Sequence, residues 1–226
     1  MHVDTAELGA LLLADARLPT GAHAHSAGLE PALEAGLPAA RVPDYIEGRL
    51  RTVALVEASA AVLTLRLVQT DPAATIRVQE ELLARMPTTP SRRASELLGR
   101  GLARLATRLW GDHPAVRGLG DLASPPLRPT AFGVVAAAIG MREDQVARAS
   151  LYDDVQTVTA AALKLLPVDP TDATGWLLAS APVLEAAVAD AVAVDDDPTS
   201  LPAHTAPLVE QLALDHDVRT RRIFVA

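Results

Sequence analysis

Between Asp15 and Glu30 the chain places two histidines at i and i+2, His23 and His25, then a serine, Ser26, with a carboxylate at either end. Two chemistries could use such a set. Imidazoles coordinate nickel and zinc, and a serine beside a histidine within reach of a carboxylate is the raw material of nucleophilic hydrolysis. The rest of the sequence completes neither. A protein metal site generally needs three or four donors, the chain has no cysteine, and His2, His113, His204 and His216 form no ligand-spaced pair. A Gly-x-Ser-x-Gly elbow, a Gly-rich phosphate loop closed by Lys-Ser or Lys-Thr, and a His-Glu-x-x-His motif are all absent. The set reads more simply as a structural corner. In that reading Asp15 holds backbone N–H groups at a turn and a histidine bonds to backbone or to Asp15.

The elements around the corner follow from elementary backbone rules. An apolar helical run through Leu11, Leu12 and Leu13 breaks at Pro19-Thr20-Gly21. Proline disfavours a helical residue before it and has no N–H, while Gly21 tolerates positive φ, so the chain turns there. Ser26 is a candidate N-cap for the helix that follows, with Glu30 in its first turn, where the helix dipole favours negative charge.

The stretch LADARLPTGAHAHSAGLE resembles the opening signature of the UreF family of urease accessory proteins. Leu13, Ala14, Asp15, Pro19, Gly21, His25, Ser26, Gly28, Leu29 and Glu30 carry the match. Further segments are similar to the family in the same order. They include Arg93, Ser95, Gly99, Leu102 and Leu105; Phe132, Gly133 and Gly140; Tyr152 and Ala161-Ala162-x-Lys164-Leu165; and, near the C-terminus, Pro207, His216, Arg222, Ile223 and Phe224. Two departures mark a divergent member. Many relatives have arginine where Lys164 stands, followed by Pro-Leu-Gly-Gln-Thr, whereas this chain has Pro167-Val168-Asp169-Pro170-Thr171. Lys164 keeps the charge without the planar fork of arginine.

Composition bounds what else the chain could be. With 226 residues, 50% of them hydrophobic and 21% charged, it has the makeup of a globular protein of one domain or two small ones. A net charge of −8 and 3% aromatic residues oppose a nucleic-acid binder, which needs a basic footprint and often stacking rings. No apolar run approaches the roughly 20 residues that span a bilayer, and MHVDTAELGA lacks a basic n-region. A soluble, unexported, cytoplasmic protein with no membrane contact is the expectation. Lys164 is the only lysine, a bias explained by GC-rich coding or by retention of arginine for bidentate contacts.

Helical periodicity recurs throughout and no run alternates as a strand would. The pattern predicts a helix over 43–69, with Ile46, Leu50, Val53, Val56, Ala60, Leu63 and Leu67 on one face, and another over 73–85. A third starts at a Ser91 cap and buries Leu98, Leu102, Leu105 and Leu109, while Arg93, Arg100, Arg104 and Arg108 share a different face. Residues 111–129, rich in Gly and Pro, read as the longest loop. Helices over about 143–166, 172–194 and 207–216 complete the prediction, with Asp195-Asp196-Asp197 as a solvated break. The fold class is therefore all-α, a single-domain bundle of eight to ten helices. The tail from Val218 onward reads as flexible until bound.

The resemblance implies a non-enzymatic urease maturation factor. It implies a homodimer that binds a UreD/UreH-type protein, recruits the GTPase UreG, influences its turnover and docks on apo-urease. Nickel is then handled by the assembled complex, with no cofactor held tightly by this chain. Signature or partner-binding roles fall on Asp15, Pro19, Gly21, His25, Ser26, Gly28, Glu30, Tyr152, Lys164, Arg219, Arg222, Ile223 and Phe224. The tail is the docking candidate because a phenylalanine lies beside three arginines, residue types that interfaces favour. The same Phe224 reads equally well as folding back onto its own core. Two other classes compete: a helical ligand-binding regulator domain, and a metal-dependent hydrolase built on His23 and His25.

Overall fold

The segment VALVEASAAVLTLRLV is apolar at almost every position, which a helix with one solvent face could not be. In the computed structural model, which describes residues 5–15, 18, 19, 21, 24–219, 223 and 224, this segment is the central helix. It spans Val53–Val68, called α4 below. Two other long helices pack on it, α8 (Arg128–Ile139) and α9 (Glu143–Leu165). Its two faces feed different clusters. Leu55, Ala58, Val62 and Leu65 join the main core, and Val56, Ala60 and Leu63 join a smaller one with Val78, Leu82, Leu127 and Leu201. Small residues permit the close approach. A Cβ on Gly133 of α8 would lie 2.4 Å from the Ala61 carbonyl oxygen, so the two backbones meet where glycine leaves room.

The remaining elements wrap this centre. Before it come α1 (Thr5–Leu13), α2 (Leu29–Glu34) and α3 (Val42–Leu50). After it follow α5 (Ala74–Ala84), α6 (Thr89–Trp110) and the short α7 (Pro114–Gly118). Beyond α9 lie α10 (Pro170–Ala179), α11 (Ala181–Val192) and α12 (Pro207–Asp217), with no strand among the described residues. The all-α class is as the periodicity predicts. No single helix among the described residues is long and apolar enough to cross a membrane.

Several boundaries differ from those read off the sequence. The helix expected over 43–69 is two helices, α3 and α4, separated at Arg51 and Thr52. Thr52 leaves helical geometry at φ −130° and ψ −102°, and its hydroxyl donates to the Gly48 carbonyl at 2.7 Å. Such back-bonding by a β-branched residue competes with the helical ladder. The helix expected over 172–194 is likewise divided, α10 and α11 meeting at 44° around Ser180. Pro182 supplies no N–H to continue α10 there. These two cuts, with the short α2 and α7, carry the number of segments past the eight to ten expected. Ser91 is not the cap of α6 but lies in its first turn, Thr88 holding the N-cap position. On α6, Leu102 is buried, whereas Leu98 and Leu105 are half-buried and Leu109 is exposed. The expected long loop contains α7 and a single 3-10 turn at Leu119–Asp121.

Arg66 near the end of α4 locks the far end of the bundle. Its guanidinium bonds Glu143 at 2.6 and 3.0 Å, the carbonyls of Val192 and Val194, and Asp196 at 2.9 Å. The acidic break is therefore more than a solvated stop, since Asp196 helps close the C-terminus of α11.

Candidate functional site

The corner between α1 and α2 is tight. Ala27 and Gly28 adopt consecutive left-handed conformations at φ 51° and 78°. Such geometry is costly for alanine, so it persists where the surroundings hold it. Three contacts do so. The Ser26 hydroxyl accepts the Glu30 N–H at 3.3 Å, and the Ala27 carbonyl accepts from the Tyr45 hydroxyl at 2.8 Å and from Arg49 Nη1 at 3.0 Å. Tyr45 comes so close that a Cβ on Gly28 would lie 2.8 Å from its hydroxyl oxygen. Ser26 thus serves the helix start from two residues before the N-cap, which is Gly28, rather than as the N-cap itself.

Arg49 in turn makes a bidentate ion pair with Asp154 of α9, at 2.5 and 2.9 Å, both side chains about nine-tenths buried. Burial pulls the guanidinium down, but the charge and hydrogen bonds of Asp154 outweigh it and hold Arg49 well above the ordinary arginine range. Burial also pushes the Tyr45 phenol up. A second buried pair set lies beside the first. Arg128, stacked over the Phe132 ring at 5.3 Å, bonds Glu57 at 3.1 Å and Asp153 at 2.6 Å.

On its other face α2 receives the C-terminal tail. Glu30 is buried, and its carboxylate accepts two consecutive backbone N–H groups, Ile223 at 2.7 Å and Phe224 at 2.9 Å, across 193 and 194 residues of chain. Fully buried His216 of α12 lies beside this clasp, its Nε2 3.5 Å from both the Phe224 carbonyl oxygen and Glu30 Oε2. Arg219 pairs with Glu34 at 2.5 Å. Phe224 is 3% exposed and packs in the main core, with the Lys164 ammonium 5.1 Å above its ring. Ile223 points the other way and is 69% exposed.

Of the residues singled out by sequence, the structure therefore gathers Glu30, Lys164, Arg219, Ile223 and Phe224 around the clasp, and places Ser26 and Gly28 at its base. His25 is buried in the corner, Pro19 is exposed, and Gly21 turns at φ 93°. Asp15 accepts the Leu18 N–H through its backbone carbonyl. Tyr152 lies elsewhere on α9, half-buried against the main core. His23 and Arg222 lie outside the described residues. Among the described residues no three histidine or acidic side chains are arranged to hold a metal ion. The divergent Pro167–Thr171 segment has a local explanation: Asp169 caps α10 by accepting the Thr171 N–H at 2.7 Å, with Pro170 at the first helical position.

Sequence reasoning missed Tyr45, Arg49 and Asp154 as parts of this site, and named His216 only among the residues that carry the family resemblance. The Tyr45 and Arg49 spacing of four, one helical face, was the available signal. On α6 the arginines divide: Arg100 pairs with Glu96 and Arg93 reaches Asp217 at 3.7 Å. Arg104 and Arg108 are exposed with no acidic partner among the described residues.

Among the described residues the protein is thus all-α, with buried ion pairs at the corner and a buried carboxylate at the tail. The UreF family profile matches residues 38–181. The chain is 36% identical over 218 residues to the urease accessory protein UreF of Mycobacterium sp. (strain JLS), covering 96% of this chain and 97% of the relative. It is 37% identical over 219 residues, with the same coverage, to the UreF of Mycolicibacterium vanbaalenii, and 34% identical to that of Mycobacterium tuberculosis (strain H37Rv). The chain belongs to the UreF family of urease accessory proteins.

Proposed function

We propose that this chain is a non-enzymatic urease maturation factor that acts as an assembly scaffold in the cytoplasm. As a homodimer it binds a UreD/UreH-type protein and a UreG-type GTPase, modulates that GTPase, and brings both to apo-urease for nickel insertion. Nickel is cargo of the assembly, and the chain holds no cofactor of its own. The observation that carries this reading is kinship along 96% of the chain with proteins named urease accessory protein UreF.

The geometry supports a docking role for the tail. Because Phe224 is spent on its own core, the outward tail residue is Ile223. Leu214 of α12 and Val218, just past its end, are also 42% and 82% exposed. Apolar residues this exposed suit a partner surface.

The test is co-expression with the UreD-type and GTPase proteins of the same urease system, followed by size-exclusion chromatography with light scattering. A stable complex holding all three is expected; a lone, unassociated species overturns the scaffold reading.

A further inference from the structure

The outward face of α6 takes no part in the corner or the clasp. Its opposite face anchors the helix. Gly99, Leu102 and Ala106 are buried there, and a Cβ on Gly99 would lie 1.9 Å from the Pro126 carbonyl oxygen, so α6 sits tight on the chain that leads into α8. Outward, Arg100, Arg104 and Arg108 recur about one turn apart. All three are exposed, around a shallow open depression that also includes Ala103 and Thr107. Leu97, 43% exposed, shares this face, at helical spacing from Arg93 on one side and Arg100 on the other.

The charges on this face are poorly compensated. Glu96 is the only carboxylate on α6, and it bonds Arg100 at 2.9 Å. Among the described residues every arginine other than Arg104, Arg108 and Arg117 has its guanidinium on a carboxylate or a backbone carbonyl. In a chain with 28 acidic and 20 basic residues, two unpaired arginines on consecutive turns do not reflect a shortage of carboxylates. Like charges at i and i+4 mildly destabilise a helix, so the stripe opposes the fold slightly and returns nothing to it.

Guanidiniums beside an exposed apolar side chain, on a helix held rigidly from behind, fit a surface of carboxylates around an apolar residue. From Arg100 to Arg108 the stripe runs about 12 Å. A second helix presents carboxylates at the same pitch when they stand at i, i+4 and i+8, as charged flanks do beside an apolar seam. We propose that this face of α6 docks an acidic amphipathic helix of a partner protein, its carboxylates on Arg100, Arg104 and Arg108 and an apolar side chain over Leu97. The net charge of −8 repels a nucleic acid, and the face carries no aromatic ring on which a base could stack. One exposed leucine on this face is too little apolar surface to hold a helix in a lipid interface.

The test is a titration of labelled probes with the full-length protein, read by fluorescence anisotropy. The probe is a synthetic alanine-based helical peptide with three glutamates one turn apart beside one leucine. Its glutamine counterpart, a thymidine oligonucleotide and, by co-sedimentation, phosphatidylglycerol vesicles are the comparisons. Saturable one-to-one binding of the glutamate peptide alone is expected. The double variant Arg104→Glu/Arg108→Glu should weaken it about tenfold or more, as should about 0.5 M salt, and Leu97→Ala should weaken it severalfold. Arg41→Glu/Arg77→Glu, which changes the net charge equally at exposed positions elsewhere, should leave it unchanged. Circular dichroism verifies that each variant is folded. Several results overturn the proposal: equal binding of the glutamine peptide, tighter binding of the oligonucleotide or the vesicles, equal loss in the two double variants, or no saturation by about 1 mM protein. No urease protein enters this titration, so it succeeds or fails independently of the scaffold reading.

Discussion

The two faces of α2 are held in opposite ways. Towards α3 and α9, the corner is fixed by Arg49 and Asp154, a doubly bonded ion pair nine-tenths buried. Towards the C-terminus, the tail is fixed by one carboxylate gripping two backbone N–H groups and by one buried ring. The first grip joins two helices of the core and cannot open without stranding a charge. The second joins Ile223 and Phe224 to α2 beside α12, which packs chiefly on α2 and α6. A side-chain ion pair and a carboxylate-to-backbone clasp thus lie on either side of one short helix, and Glu30 makes the second.

Breaking the corner should cost most. Asp154→Ala leaves the Arg49 guanidinium buried without its counter-charge, and removal of one partner of a buried pair costs about 3–5 kcal/mol. The urea midpoint should fall accordingly, whereas Tyr45→Phe, which removes the hydrogen bond to the Ala27 carbonyl but no charge, should cost about 1 kcal/mol. Next comes the far lock. Arg66→Ala frees Glu143 and the carbonyls closing α11, and about 2–3 kcal/mol should be lost in thermal or urea melts. Releasing the tail is gentler globally: Glu30→Ala removes the acceptor of two backbone amides but strands no charge, so about 1–2 kcal/mol is expected. Its sharper readout is local. The amides of Ile223 and Phe224 should lose most of their hydrogen-exchange protection while those of α4 keep theirs. At the small end, Arg104→Glu on the open face of α6 should change stability by less than about 0.5 kcal/mol, measured by the same melts.

What the sequence revealed depended on how local the cause was. The continuous apolarity of Val53–Val68 and the punctuation at Pro19 and Gly21 are properties of neighbouring residues, and the elements they predict are present. The break at Thr52 was hidden because the apolar stripe continues through it; a single hydroxyl bonded to Gly48 decides the matter. The site was legible in its members more than in its wiring. Glu30 and Phe224 stand out in the chain, but their bond crosses 194 residues, and the Arg49 pair crosses 105. Phe224 carried two equal readings, interface anchor or core residue, and the structure places its ring in the protein's own core. The solvent-facing side chain is its neighbour Ile223.

That distinction supplies the most direct measurement. Ile223→Asp alters an exposed side chain and leaves intact its backbone N–H, which bonds Glu30. Its melting curve should therefore match the wild type. In co-expression with the UreD-type protein, light scattering should show the complex mass for the wild type and only the uncomplexed mass for Ile223→Asp. An Ile223→Asp variant that still elutes at the full complex mass would contradict the account of the clasped tail as a docking surface.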